Sequence, residues 1–296
     1  MPPPPTRPPE LVSRVFRGSA AVASGRLTAH NLRSSAWRRL YPDVYACSSL
    51  PVTHELRTFA VTHLLVPGAV ASGWSAAVLW GVELAGPEDP VECTVPARTA
   101  AGAVDGVLLT RRSLPEAEVT ARRGVPTTTA MRTALDLARI RPLDEAVVAL
   151  DRFLVPGFVF LSEVRAAASR LTGRDCRHIR RVAQLADGLA GSPQETRLRL
   201  ALHRSGLPLP VAQYTVRDAD GRWIGRVDFA WPERKLALEY EGIWHGERQQ
   251  VARDRRRLNA LTRAGWRVIF VTAADLRDPV RLVTRLAEEL SAPRFV

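Results

Sequence analysis

The sequence predicts a mixed α/β protein, and three stretches carry that expectation. Residues 191–296 alternate helical and extended periods in the order α-β-β-β-α-β-α, which describes a small α/β domain built on a mixed sheet. Residues 11–52 read as two short helices followed by a strand pair. Residues 53–190 interleave helical periods with short β-branched runs, an α+β middle segment. A Pro-rich leader, residues 1–10, precedes them and holds six of the 22 prolines.

Length and composition set the bounds. A chain of 296 residues is long enough for one to three domains with a buried core. Mean hydropathy is −0.08, and no apolar run reaches the roughly 18 residues of a transmembrane helix, so no membrane contact is expected. The cysteines, Cys47, Cys93 and Cys176, make neither a CxxC pair nor an even-numbered framework, which excludes a structural zinc site or a disulfide scaffold. The N-terminus lacks the apolar stretch of a signal peptide, so the expected location is the cytoplasm. Net charge is +12 and unevenly spread. Residues 1–60 carry 8 basic and 3 acidic side chains, residues 61–190 carry 15 and 14, and residues 191–296 carry 19 and 13. Two basic ends around a neutral middle point to polyanionic partners.

The first helix is predicted over Leu11–Ser24, with Gly25 as its stop. Thr28 is placed to cap a second helix over Ala29–Arg39, with Asn31, Arg33, Ser34 and Arg38 on its polar side. Leu40–Ala46 then reads as a ribbon turning at Pro42-Asp43. Helix, basic helix and wing together make the order of a winged helix-turn-helix, in which Arg33 and Arg38 are the candidate nucleic-acid contacts. In the middle segment, His54, His63 and His178 stand alone, and a structural role is expected for each. Helices are predicted at His54–Val66, Ser75–Trp80, Thr128–Arg139, Leu143–Leu154, Leu161–Ser169 and Arg177–Leu189. Strands are predicted at Val91–Val95 and Val107–Thr110.

The chemistry concentrates in the last third. Side chains alternate faces along a strand, so in Leu236–Glu241 the residues Ala237, Glu239 and Glu241 share a face. In Arg226–Trp231 the polar face carries Arg226 and Asp228. If Pro232–Lys235 joins the two strands as a hairpin, Trp231 pairs with Leu236 and Asp228 stands opposite Glu239, with Cβ atoms about 4.5–5.5 Å apart. Like charges there repel, and a hard divalent cation relieves the conflict. Ser192-Pro-Gln-Glu195 reads first as a capping box with Pro at the first helical position, and a site role for Glu195 is compatible with that. Asp254, on a helix expected over Gln249–Ala264, shares a stripe with Val251, Leu258 and Leu261. Its expected partner is Arg257, one turn on, while Arg255 and Arg256 point away, towards phosphates.

At Asp228…Glu239-Tyr-Glu241 the chain resembles the PD-(D/E)xK nuclease superfamily. More closely, Ser192-Pro-Gln-Glu-Thr, Val227-Asp-Phe, Glu239-Tyr-Glu-Gly, His245, Arg253-Asp-Arg-Arg-Arg-Leu and Ala264-Gly-Trp-Arg-Val resemble the very-short-patch-repair-like endonuclease branch over about residues 190–290. Residues 11–50 resemble the winged-helix domain of AbiEi-type antitoxins and related regulators. The resemblance implies a restriction-endonuclease-like fold in which Asp228 and Glu239 ligate Mg²⁺, with Mn²⁺ able to substitute. The Tyr240 carbonyl adds a ligand, and Glu195 holds the metal through water. Glu241 stands where the superfamily has lysine, and His245 becomes the base that activates water. The zinc ligands of very-short-patch-repair enzymes cannot be assembled here.

Two readings follow. In the first the protein is a Mg²⁺-dependent DNA endonuclease. In the second it is an AbiEi-like regulator or antitoxin whose nuclease fold is inactive, with a toxin or defence-system protein as partner.

Overall fold

A computed structural model describes residues 7–242 and 248–292, and within them the chain is mixed α/β. It divides into two compact units, residues 1–139 with 158–160, and residues 140–157 with 161–296.

The first unit opens with α1 (Pro9–Val12), β1 (Val15–Arg17), α2 (Gly18–Ala23), β2 (Trp37–Tyr41) and β3 (Val44–Cys47). The three strands form an antiparallel sheet in the order β1-β3-β2. The ribbon expected around Pro42-Asp43 is present, with Asp43 in the left-handed region at φ 59°. The two long helices expected before it are not. The expected helix Leu11–Ser24 is interrupted because Val15 and Phe16 pair with Ala46 and Tyr45. Phe16 also packs edge-on to Trp37 at 5.1 Å, so β-branched and aromatic burial outweighs helical continuity. Gly18 permits this: a Cβ there would lie 2.6 Å from the Tyr45 ring.

The expected recognition helix Ala29–Arg39 shrinks to a 3-10 turn, Asn31–Arg33. Its backbone is diverted by local side-chain bonds. The Thr28 amide and hydroxyl both donate to Asn31 Oδ1 at 2.8 Å, and the Ser34 hydroxyl donates to the Asn31 carbonyl at 2.7 Å. Arg33 therefore ends a turn and Arg38 lies on β2, both exposed, and neither stands on a helix.

The unit continues with α3 (His54–Ala60), extended by a π turn over Val61–Leu65, then β4 (Val70–Ala71), α4 (Gly73–Leu79), β5 (Val91–Val95), β6 (Val107–Arg111), β7 (Val119–Arg122), β8 (Val125–Thr128) and α5 (Ala130–Leu137). Its five strands run β6-β5-β4-β8-β7. Val15, Tyr41, Val44 and Ala46 share a core with Ala60, Val61, Val91 and Cys93, so the expected division at 52/53 falls inside one packed unit. Of the isolated histidines, His54 is tied into the fold: it bonds Ser75 Oγ at 2.8 Å and the Gly86 carbonyl at 3.0 Å, and burial lowers its pKa.

The second unit comprises α6 (Leu143–Leu154), α7 (Leu161–Arg170), α8 (Cys176–Leu185), α9 (Pro193–Arg204), β9 (Val211–Arg217), β10 (Trp223–Trp231), β11 (Leu236–Tyr240), α10 (Arg248–Arg263), β12 (Arg267–Val271), α11 (Ala273–Arg277) and α12 (Pro279–Ser291). The sheet runs β12-β11-β10-β9, antiparallel except for the parallel pair β11–β12. Leu198 and Leu202 of α9 and Leu282, Leu286 and Leu290 of α12 pack on one side of it against Phe229, Leu236 and Leu238. Leu261 of α10 and Trp266 join Val216, Val227 and Ala237 in a second cluster.

The expected boundary at 190/191 falls within this unit. Asp151 of α6, fully buried, accepts the amides of Asp187 and Gly188, each at 2.9 Å, the Thr196 hydroxyl at 2.9 Å and an Arg199 Nη at 2.7 Å. That carboxylate ties the helical layer to α9. Among the described residues no helix is long and apolar enough to cross a membrane.

Candidate active site

The hairpin β10–β11 adopts the expected register. Trp231, Ala230 and Phe229 pair with Leu236, Ala237 and Leu238, through a turn over Pro232–Arg234 closed by Lys235 at φ 46°. One step further along, where Asp228 faces Glu239, the ladder ends. The Asp228 carboxylate takes the place of a backbone acceptor, receiving the Tyr240 amide on Oδ2 at 2.8 Å. Glu239 sits on the buried central strand beside Phe270 of β12. Burial, reinforced by the negative charges of Glu195 and Glu239, pushes the Asp228 carboxyl up to about 6, against the lowering effects of the Tyr240 amide and Arg257.

Glu195 arrives from α9. Ser192 caps that helix, its Oγ accepting the Glu195 amide at 3.2 Å. The reciprocal half of the capping box is displaced by one residue, because Glu195 Oε2 accepts the Gly191 amide at 2.8 Å rather than that of Ser192. The same oxygen accepts Gln213 Nε2 at 2.9 Å. Ser192→Ala should lower stability by about 1 kcal/mol, the usual worth of an N-cap; thermal unfolding checks this.

Glu195, Asp228, Glu239, Tyr240 and Glu241 line one cleft of ≈ 450 Å³ together with Asp254, Arg226, Arg255, Arg257, Leu258 and Phe270. Four sequence-predicted acids therefore converge with Glu241, which is exposed and held through its amide to the Val271 carbonyl at 2.8 Å. One expected pairing is corrected. Arg257 does not serve Asp254. It reaches across to Glu239 and makes a bidentate pair, Nη1 to Oε1 and Nη2 to Oε2, both at 2.6 Å. Asp254 is half-buried and makes no hydrogen bond among the described residues. Arg255 and Arg256 are exposed, and only Arg255 lines the cleft. His245 lies outside the described residues.

No family model matches the chain. Two uncharacterized proteins of Mycobacterium tuberculosis, from strains CDC 1551 and H37Rv, are each 37% identical to it over 168 residues, 55% of this chain. The match spans 61% of each relative's length. No solved structure matches.

Three site-building residues carry no obvious sequence signal. Gln213 holds a left-handed backbone at φ 51°, unusual for a residue with a side chain, and this accompanies its amide bond to Glu195. Gly225 gives Arg257 passage over β10, since a Cβ there would lie 3.0 Å from Arg257 Cδ. At Gly191 a Cβ would stand 3.3 Å from Glu195 Oε1.

The donor set consists of hard oxygens, which suits Mg²⁺ rather than a softer metal. Among the described residues no three acids, histidines or cysteines are arranged as a ready metal site. Mg²⁺ needs only one or two carboxylates with waters completing its shell, and Asp228 and Glu239 provide two. Both Glu239 oxygens are engaged by Arg257, so joint ligation requires an exchange of partners at Glu239.

Proposed function

We propose that the second unit hydrolyses phosphodiester bonds of DNA with Mg²⁺, Mn²⁺ substituting. The observation that supports this reading is the cleft itself: Glu195, Asp228 and Glu239 line the same concavity as the guanidiniums of Arg226, Arg255 and Arg257. Acids suited to a cation and arginines suited to a phosphate are what metal-assisted hydrolysis of a charged ester needs in one place. Asp228 and Glu239 would hold the metal, with the Tyr240 carbonyl and a water held by Glu195 as further oxygens. A bound Mg²⁺ would supply positive charge to the phosphate oxygens and acidify a water.

The chain's own contribution is positional. Arg226 and Arg255 offer exposed charge to the strand, and Arg257 can trade the Glu239 carboxylate for a phosphate of similar bidentate geometry. Arg33 and Arg38 of the first unit would add backbone contacts from a turn and a strand.

A second reading, that of an AbiEi-like regulator with an inactive nuclease fold and a toxin or defence-system partner, is favoured by one feature. The Arg257–Glu239 pair neutralises the acid the metal needs.

Supercoiled plasmid incubated with Mg²⁺, Mn²⁺ or EDTA separates the two. The nuclease reading expects metal-dependent nicking, abolished by EDTA and by Glu239→Gln. Absence of cleavage by wild type on plasmid, mismatched and single-stranded DNA, with binding retained, transfers the assignment to the regulator.

A further inference from the structure

The α7–α8 hairpin carries two kinds of arginine. Arg165 donates to the carbonyls of Ala183 at 3.0 Å and Ala186 at 3.0 Å, and Arg180 to those of Ala168 at 3.2 Å and Ser169 at 3.3 Å. These side chains fasten the two helices together. Arg177 and Arg181, one turn apart on α8, do no such work: both are exposed and make no ion pair or side-chain hydrogen bond among the described residues.

Arg141 joins them around a cavity of ≈ 730 Å³. Arg141 itself is anchored, donating to Asp175 Oδ1 at 3.1 Å and meeting His178 Nδ1 at 2.8 Å. His178 Nε2 is 2.8 Å from the Ile140 carbonyl, so Nε2 carries the proton and Nδ1 is the acceptor. Asp175 is the one acid lining the cavity against three guanidiniums. Like charges at i and i+4 destabilise a helix slightly, and α8 contains no acid to offset them. Among the described residues of the lining, Leu143 is the only large aliphatic side chain, and no Phe, Tyr or Trp joins it. The centre of a protein interface is built on apolar and aromatic anchors, which this surface lacks. A polyphosphate needs only the charge and the forked donors.

We propose that Arg141, Arg177 and Arg181 form a surface for the phosphate backbone of nucleic acid, separate from the acidic cleft. The proposal rests on the reading that this protein engages DNA, and assigns part of its affinity to a sequence-independent contact outside the catalytic groups.

The test uses full-length protein, a 30-bp DNA duplex and EDTA, so that binding is measured without cleavage. Arg177→Gln/Arg181→Gln removes two exposed, unbonded charges and should leave thermal unfolding unchanged. Affinity at about 100 mM salt should fall roughly tenfold to a hundredfold, and the slope of log K against log salt should flatten by about 1.8. Arg234→Gln/Arg263→Gln, an equal charge change at other exposed sites of the same unit, controls for net charge. An equal effect in both double variants, or none in the first, overturns the proposal while DNA binding stands. Wild-type protein that ignores the duplex even at 50 mM salt overturns the DNA reading and the proposal together. Binding of a poly-glutamate peptide but not the duplex, lost in Arg177→Gln/Arg181→Gln, reassigns the surface to an acidic protein.

Discussion

Asp228→Asn should make the protein more stable at neutral pH and, on the proposed nuclease reading, unable to cleave DNA. The carboxyl is held at about 6 in the folded chain against an ordinary value of 3.8. The native state thus favours the protonated form. Above pH 6 the folded protein bears an ionised group that the unfolded chain tolerates better, a cost of roughly 1–3 kcal/mol. This cost fades as pH falls from 6 towards 3.8 and is absent below both values, so stability from this group decreases as pH rises through that window.

Asparagine keeps an oxygen for the Tyr240 amide and carries no charge. The expected gain in melting temperature is about 3–8 °C at pH 7.5, shrinking as pH falls below 6 and vanishing only below 3.8. Divalent cation should raise the wild-type melting temperature and leave the variant unmoved, since only the former gains from binding in the folded state. Cleavage should fall by about three orders of magnitude, the several kcal/mol a metal site contributes. A variant that melts lower than wild type at pH 7.5 would mean that the folded protein favours the ionised Asp228 carboxylate over a neutral group, and would overturn this prediction.

Asp151→Ala should be the most damaging single change in the second unit. The fully buried carboxylate satisfies two amides, a hydroxyl and a guanidinium at once. Its loss leaves Arg199 charged and partly buried beside Asp187, whose own carboxyl is pushed up by burial and by the Asp151 charge. Breaking such a group by removing one partner costs about 3–5 kcal/mol. With an urea dependence of roughly 2 kcal/mol per molar, the unfolding midpoint should drop by on the order of 2 M. Trp223, Trp231 and Trp266 lie in this unit and can report the transition by fluorescence. Glu195 sits one residue from Thr196, so cleavage should weaken as well. A shift under about 0.5 M would show that water readily replaces the carboxylate at this junction.

Legibility differed sharply between the two ends of the chain. In the last third, alternation along Arg226–Trp231 and Leu236–Glu241, together with a short turn between them, was enough to place Asp228 beside Glu239, because a buried hairpin tolerates only one register. The capping sequence at Ser192 located the start of α9 and with it Glu195. At the N-terminus the same reasoning predicted a basic recognition helix that does not form. Asn31 and Thr28 satisfy each other locally, and Trp37 gains more by packing on Phe16 than by continuing a helix.

Charge partners were beyond sequence reasoning altogether. Helical spacing offered Arg257 to Asp254. Its stem instead runs over Gly225 to Glu239, a choice that depends on how α10 lies across the sheet. The Gln213–Glu195 bond likewise needs a left-handed residue on β9. Burial of Asp151 likewise depends on helices far apart in the chain meeting at one carboxylate. What the sequence alone determined, then, was the strand register that sets Asp228 and Glu239 side by side and the helix start that brings Glu195 to the same cleft, since both follow from local periodicity, capping and turn length. The tertiary structure decided which cation neutralises which acid, because ion pairing depends on distances that only packing sets.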